Sequence, residues 1–222
     1  RYISVTGVQT CALPISNDIN ELKAKAEKGD AEAQLRLGQA YDSGKGVAKD
    51  FAEATRWFQR AAENGSAEGQ FNVGLSYHFG IGVRKDLSEG LRWYMKAAAQ
   101  GFPGAQFNIG MAYYNGEGTK QNYVVAARWF RMAADQGDPA AQYNLGTMYY
   151  KGQGVPHDQS ESIRWFRKAA DQGTYAAQYE LGEMYFRGKG APQDTTEAYK
   201  WVSLAAFIVS GDEWRKYLKS NA

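Results

Sequence analysis

A tryptophan recurs every 36 residues along the chain: Trp57, Trp93, Trp129, Trp165 and Trp201. Gly38, Gly74, Gly110, Gly146 and Gly182 keep the same period, and so do Tyr41, Tyr77, Tyr113, Tyr149 and Tyr185. Gly-x-Gly pairs run in step from Gly44/Gly46 to Gly188/Gly190, and paired alanines from Ala61/Ala62 to Ala205/Ala206. Such a period restricts the chain to an array in which each unit buries its apolar face on the next. Aromatic residues make up 14% of the sequence, and most of them recur at fixed spacing. Five units follow, at 31–66, 67–102, 103–138, 139–174 and 175–210. Residues 17–30 align with the second half of a unit, because Gly29 stands one period before Gly65.

Each unit reads as two helices. In AEAQLRLGQAY (31–41), Ala33, Leu37 and Tyr41 share one face at helical spacing. The Gly-x-Gly after it supplies positive φ where the chain turns. The second helix opens on a capping box in four units: Asp50/Glu53, Asp86/Glu89, Asp158/Glu161 and Asp194/Glu197. The third, Asn122 followed by Val125, keeps the cap without the return partner. Ala54, Trp57, Phe58, Ala61 and Ala62 form the apolar stripe, and Gly65, Gly101, Gly137 and Gly173 end the helix. Pro103 and Pro139 fall where a first turn tolerates proline. A glycine inside a helix costs about 1 kcal/mol relative to alanine. The Gly38 column accepts that cost five times, which points to close helix approach. The Trp57 column is expected to fill the space between units, at about 3–5 kcal/mol per truncation to alanine.

With these columns in place, the stretch DPAAQYNLGTMYYKGQGVPHDQSESIRWFRKAADQG (138–173) closely resembles the Sel-one-like repeat (SLR), a relative of the tetratricopeptide repeat. The resemblance covers about residues 31–209. It implies an all-α fold, a right-handed α-solenoid of helix-turn-helix repeats. It also implies a scaffold or adaptor that binds other proteins in a concave groove lined by the first helices.

On a helical wheel, the half of the first helix opposite its core columns is expected to be polar, and it is not. One column reads Leu35, Phe71, Phe107, Tyr143, Tyr179, and is either groove or inter-repeat core. Leu75 and Met111 occupy another, and Asp42, His78, Tyr114, Tyr150 and Phe186 a third, read as groove. Between them lie Arg36, Asn72, Asn108, Asn144 and Glu180. The three asparagines resemble the ladder by which some tetratricopeptide solenoids hold a peptide backbone; the alternative is that they cap neighbouring turns. A carboxamide donates and accepts at once, as a peptide bond requires. The expected occupant is an extended peptide along the second to fourth units. Gln34, Gln70, Gln106, Gln142 and Gln178 lie on the core side and are read as structural hydrogen-bonding groups. Arg56, Arg92, Arg128, Arg164 and Lys200 form a basic column; Glu53, Glu89, Glu161 and Glu197 stand three residues earlier in four of those units and read as its solvated ion-pair partners.

Net charge is +2, and setting aside Arg1 lowers it further, far from the basic excess that a phosphate backbone requires. Nucleic acid is therefore not an expected partner. No apolar run approaches the ~18 residues of a membrane span. Cofactors and metals are not expected either. His78 and His157, the two histidines, have no second histidine at ligand spacing. There is no G-x-S-x-G, and the Gly-x-Gly pairs follow helices rather than strands. A cysteine-rich subgroup of the family is associated with β-lactam binding or hydrolysis. The one cysteine here sets this chain apart from it, so an enzyme is not expected.

The two ends break the pattern. In the last unit Leu204, Phe207, Ile208 and Val209 leave the second helix apolar nearly all round. Residues 211–222 are expected to cover it as a capping helix through Trp214, Tyr217 and Leu218, leaving a monomer. The alternatives are a dimer through these helices, making the chain a self-associating module, or a missing downstream segment. At the other end VTGVQTCALPI (5–15) is too interrupted for a signal peptide. It resembles the conceptual translation of a short-read sequencing adapter, so residues 1–16 are expected to be non-native and the true start upstream. Location, bacterial cytoplasm or periplasm, is left open by that reading.

Overall fold

We describe residues 19–206 of a computed structural model. The two expected terminal segments, 1–16 and 211–222, lie outside the described residues, as do Phe207, Ile208 and Val209. The described chain is helical, with no strand. Its helices are α1 (Ile19–Glu27), α2 (Ala31–Ser43), α3 (Phe51–Glu63), α4 (Ala67–Phe79), α5 (Leu87–Ala99), α6 (Pro103–Asn115), α7 (Tyr123–Asp135), α8 (Pro139–Lys151), α9 (Gln159–Asp171), α10 (Tyr175–Arg187) and α11 (Thr195–Ala206). Two compact units divide at Gln121/Asn122, so unit 1 holds α1–α6 and unit 2 holds α7–α11. Within each, every helix packs on the next in sequence.

Both helix ends are set by the repeated residues. The carboxylates of Asp50, Asp86, Asp158 and Asp194 accept from the backbone N–H groups two and three residues on. Asn122 accepts from Val125 N at 3.1 Å. The expected return half of the capping box is not made. The Asp50 N–H donates instead to the Tyr41 carbonyl at 3.0 Å, and Asp86, Asp158 and Asp194 do the same to Tyr77, Tyr149 and Tyr185. That bond ties the tip of each first helix to the start of the second. It leaves Glu53, Glu89, Glu161 and Glu197 free to pair with Arg56, Arg92, Arg164 and Lys200, the expected surface pairs.

The Gly38 column is where two helices of one repeat meet. A Cβ on Gly38 would stand 2.5 Å from the Phe58 ring, and one on Gly74 would stand 2.5 Å from the Tyr94 ring. In unit 2, Gly146 meets Phe166 and Gly182 meets Val202 in the same way. The residues after Trp57, Trp93, Trp165 and Trp201 therefore fill the glycine notches. The tryptophan itself faces the preceding repeat: Trp57 packs with Ala26, Ala33 and Leu37, and Trp201 with Ile163, Ala170 and Leu181. Trp57, Trp165 and Trp201 are buried, whereas Trp93 and Trp129 are only half-buried, so the expected packing role is unequal along the column.

The glutamine column joins repeats. Gln34 Nε2 donates to the Ala26 carbonyl at 2.9 Å, and its Oε1 accepts from Asn64 Nδ2 at 2.8 Å. Gln70 repeats this with Ala62 and Gln100, and Gln142 with Ala134 and Gln172. Each carboxamide thus caps the end of one second helix and is held by the end of the next. The Gly-x-Gly turn is a second joint. Gly82 has φ +71°, and a Cβ on it would lie 2.0 Å from the Phe51 carbonyl oxygen of the repeat before. Only glycine satisfies both the positive φ and that contact.

Candidate protein-interaction face

In unit 1 the first helices α2, α4 and α6 lie side by side. Gln39 Nε2 donates to Glu68 at 3.0 Å, joining α2 to α4. A Cβ on Gly104 at the start of α6 would meet the Phe71 ring of α4 at 3.3 Å. In unit 2, α8 and α10 are joined through Tyr150 and Lys189, 3.0 Å apart.

The aromatic column that sequence left open between groove and core divides between buried and half-buried positions. Leu35 and Phe107 are buried, at 4% and 8% exposure, so Phe107 is packing and not a contact surface. Phe71 is half-buried and packs on Phe102 and Tyr94, at 4.9 Å and 5.8 Å between ring centroids. Tyr143 packs on Phe166 at 5.6 Å, and Tyr179 is half-buried beside Glu180 in unit 2. A helical wheel separates the faces of one helix. It does not show how closely the neighbouring first helix and the second-helix ring beneath it press on a residue at the boundary.

The remaining candidates keep an exposed edge. Leu75, His78, Met111 and Tyr114 in unit 1, and Tyr150 and Phe186 in unit 2, are all half-buried on first helices. The three asparagines are half-buried as well, but they are not equivalent. Asn72 makes no side-chain hydrogen bond among the described residues. Asn108 lies against the hydroxyl of Tyr94. Asn144 Nδ2 donates to the Ala140 carbonyl one turn back, at 2.8 Å.

Unit 1 gathers a polar cluster in this face. Tyr94, 2% exposed, stands where other repeats have Phe58, Phe130 and Phe166. Burial pushes its phenol above the usual tyrosine range, and Glu117 adds to this while Asn108 opposes it. His78 lies over Tyr94, 6.3 Å between ring centroids, and against Phe79 at 4.6 Å. Burial pulls the His78 imidazole below its ordinary value; Lys85 acts in the same direction and Glu117 in the opposite one. Glu68, at the start of α4, is pushed above the carboxylate range by burial and by Glu32, against the bond from Gln39.

Unit 2 carries a shallow cleft of about 130 Å³ between α8 and α10, lined by Tyr150, Tyr179, Glu180, Glu183, Arg187 and Lys189. Glu180 replaces the asparagine of other repeats, and burial followed by Glu183 pushes its carboxyl up. Glu183 pairs with Arg187 at 2.8 Å. Sequence reasoning gave these charged residues no role, apart from noting Glu180 in its column, because they fall outside the repeated pattern. Among the described residues no group of three or more His, Cys, Asp or Glu side chains could hold a metal. No described helix is long and apolar enough to cross a membrane.

Stacked two-helix units joined by glycine notches and glutamine bridges define a helical repeat solenoid. The Sel1-repeat family matches residues 31–66, 67–102, 103–138, 139–174 and 176–206, and the chain belongs to that family. The crystal structure of c5321, a protective antigen of uropathogenic Escherichia coli with an SLR fold, superposes with a TM-score of 0.84. It is 39% identical, over 86% of this chain and 41% of that one. A Sel1 repeat protein from Oxalobacter formigenes is 36% identical with a TM-score of 0.79, over 84% of this chain and 77% of that one. In sequence, the secretory immunoglobulin A-binding protein EsiB of Escherichia coli O6:H1 is 46% identical over 52 residues. That match is 22% of this chain and 11% of EsiB, so the chain spans a small part of that relative. Sel1-repeat proteins are in general helical scaffolds for protein–protein interaction.

Proposed function

We propose that this chain is a protein-interaction scaffold whose first-helix faces hold an extended segment of a partner protein. One observation carries the reading. Asn72 presents a carboxamide with no partner of its own among the described residues, between the half-buried Phe71 and Leu75. An extended backbone supplies the donor and acceptor that such a group lacks. Asn108, on the next first helix of unit 1, is one period away and also half-buried. Asn144 serves the equivalent face of unit 2. A relative named for binding secretory immunoglobulin A illustrates the use of such repeats on a protein partner.

Two other readings remain as alternatives. A self-associating array is motivated by Leu204 and Tyr199, exposed at 47% and 54% on α11. A hydrolase of the β-lactamase-like repeat type has no supporting cluster in the described residues.

The test uses the full chain, immobilised, and a displayed library of random twelve-residue peptides. Wild type retains a set of peptides, and the double variant Asn72→Ala/Asn108→Ala retains them about tenfold less, as expected for lost buried hydrogen bonds. Asn72→Ala alone shifts the melting temperature by no more than about 2–3 °C, since that carboxamide supports nothing within the fold, whereas Asn108→Ala also removes a partner of the buried Tyr94 hydroxyl. Full retention by the double variant overturns the reading.

A further inference from the structure

In two of the turns the residue between the two glycines reaches back to the preceding first helix. In unit 2, Lys189 lies between Gly188 and Gly190, and its ammonium donates to the Tyr150 hydroxyl at 3.0 Å. In unit 1, Glu117 lies between Gly116 and Gly118, and its carboxylate stands 3.8 Å from His78 Nε2. Both pairs are 39 residues apart, so they are the same rung in two different repeats. The rungs differ in chemistry. Lys189 is satisfied by the phenol and lies 5.5 Å over its ring. Glu117 is not satisfied in the same way. At 3.8 Å the imidazole is too distant for a hydrogen bond, and Asn115 Nδ2 reaches only the other carboxylate oxygen, at 3.3 Å.

Glu117 has no Lys or Arg partner among the described residues. Its side chain is 42% exposed, and that of His78 is 27% exposed. The ring of Phe79, 55% exposed and packed edge-on to His78, gives an apolar wall beside the imidazole. A basic side chain has what this corner offers: an aliphatic stem for the apolar wall and a cation for the carboxylate.

We propose that unit 1 receives a partner peptide with a lysine or arginine side chain paired to Glu117 beside His78. The proposal rests on the peptide-binding reading above and names the chemistry of the guest at one point. His78 then tunes the affinity. The charged and titratable groups facing it are Glu117, Lys85 and the Tyr94 phenol. Its imidazole is held below its ordinary value and is neutral at pH 7. As the pH falls through that lowered value the ring gains a charge, neutralises Glu117, and repels a basic guest.

The same library, selected on the full chain, tests this. Peptides retained by wild type are expected to be enriched in Lys and Arg. Glu117→Gln is expected to retain those peptides about tenfold less. Glu117→Lys is expected to select Asp and Glu instead. Capture by wild type is expected to fall several-fold from pH 7 to pH 5, and His78→Gln to flatten that pH profile. Melting curves of both Glu117 variants show that the fold is intact. Peptides lost with Asn72→Ala/Asn108→Ala but indifferent to Glu117→Gln overturn the basic-residue proposal alone. If wild type retains no peptide, both this proposal and the peptide-binding reading fall.

Discussion

The Phe58 ring rests on the α-carbon of Gly38, so that a Cβ there would stand 2.5 Å from two ring carbons. The ring is itself enclosed by Leu35, Ala54, Ala61, Ala62 and Val73. Two effects of a Gly38→Ala change oppose each other. Helix propensity favours alanine by about 1 kcal/mol. Overpacking in an enclosed site costs about 1–3 kcal/mol. The ring has no open side to swing into, so overpacking is expected to win, with a net loss of up to about 2 kcal/mol in urea unfolding. A more stable variant would show that the ring can yield.

The glutamine bridges are expected to be coupled energetically. Gln142 Nε2 donates to the Ala134 carbonyl at 3.1 Å, while its Oε1 accepts from Gln172 Nε2 at 2.8 Å. Gln142→Ala removes one donor from the Ala134 carbonyl, which keeps the Gly137 N–H at 3.0 Å, and is expected to cost about 0.5–1.5 kcal/mol. Gln172→Ala removes only the outer half of the bridge and is expected to cost less. A double-mutant cycle on the two should return about 0.5–2 kcal/mol of coupling. Strict additivity would mean that the bridge is geometric and carries no energy.

Alkali is expected to destabilise unit 1 through Tyr94. Burial raises the folded-state value of its phenol above that of an unfolded tyrosine, so folding favours the neutral form. The contribution is present in full below the ordinary tyrosine value of about 10 and is lost as the pH climbs towards the folded value. Tyr94→Phe, which installs the side chain found in other repeats, removes this dependence. Urea midpoints between pH 8 and pH 11 for the two proteins measure it. Parallel curves would show that Tyr94 does not set the alkaline limit.

The period alone located ten of the described helices to within a few residues, because glycine, tryptophan and cap residues recur at fixed places in each unit. The core role of Gln34 and its equivalents was also legible, since a polar column on an apolar face requires a fixed partner. Phe107 stayed open between groove and core because its helix wheel places it at the edge of the core, where only the neighbouring helices decide. The return half of the capping box was expected from Asp50 and Glu53. It fails because the Asp50 N–H already has the Tyr41 carbonyl, a bond made by the turn and not by the helix. The His78–Glu117 rung was missed for a related reason. A separation of 39 residues exceeds the period by three, so it appears in no single-helix pattern.

The turn that holds Glu117 and Lys189 divides labour between neighbours in sequence. Gly118 has φ +70°, and a Cβ on it would lie 2.5 Å from the Leu87 carbonyl, so it tolerates no other residue. The residue before it meets no such limit: Lys45, Ile81, Glu117, Gln153 and Lys189 occupy that place in turn. A rigid hinge therefore carries a freely exchangeable tip. A substitution at one tip can change the chemistry that the turn presents, while the joints between the repeats stay as they are.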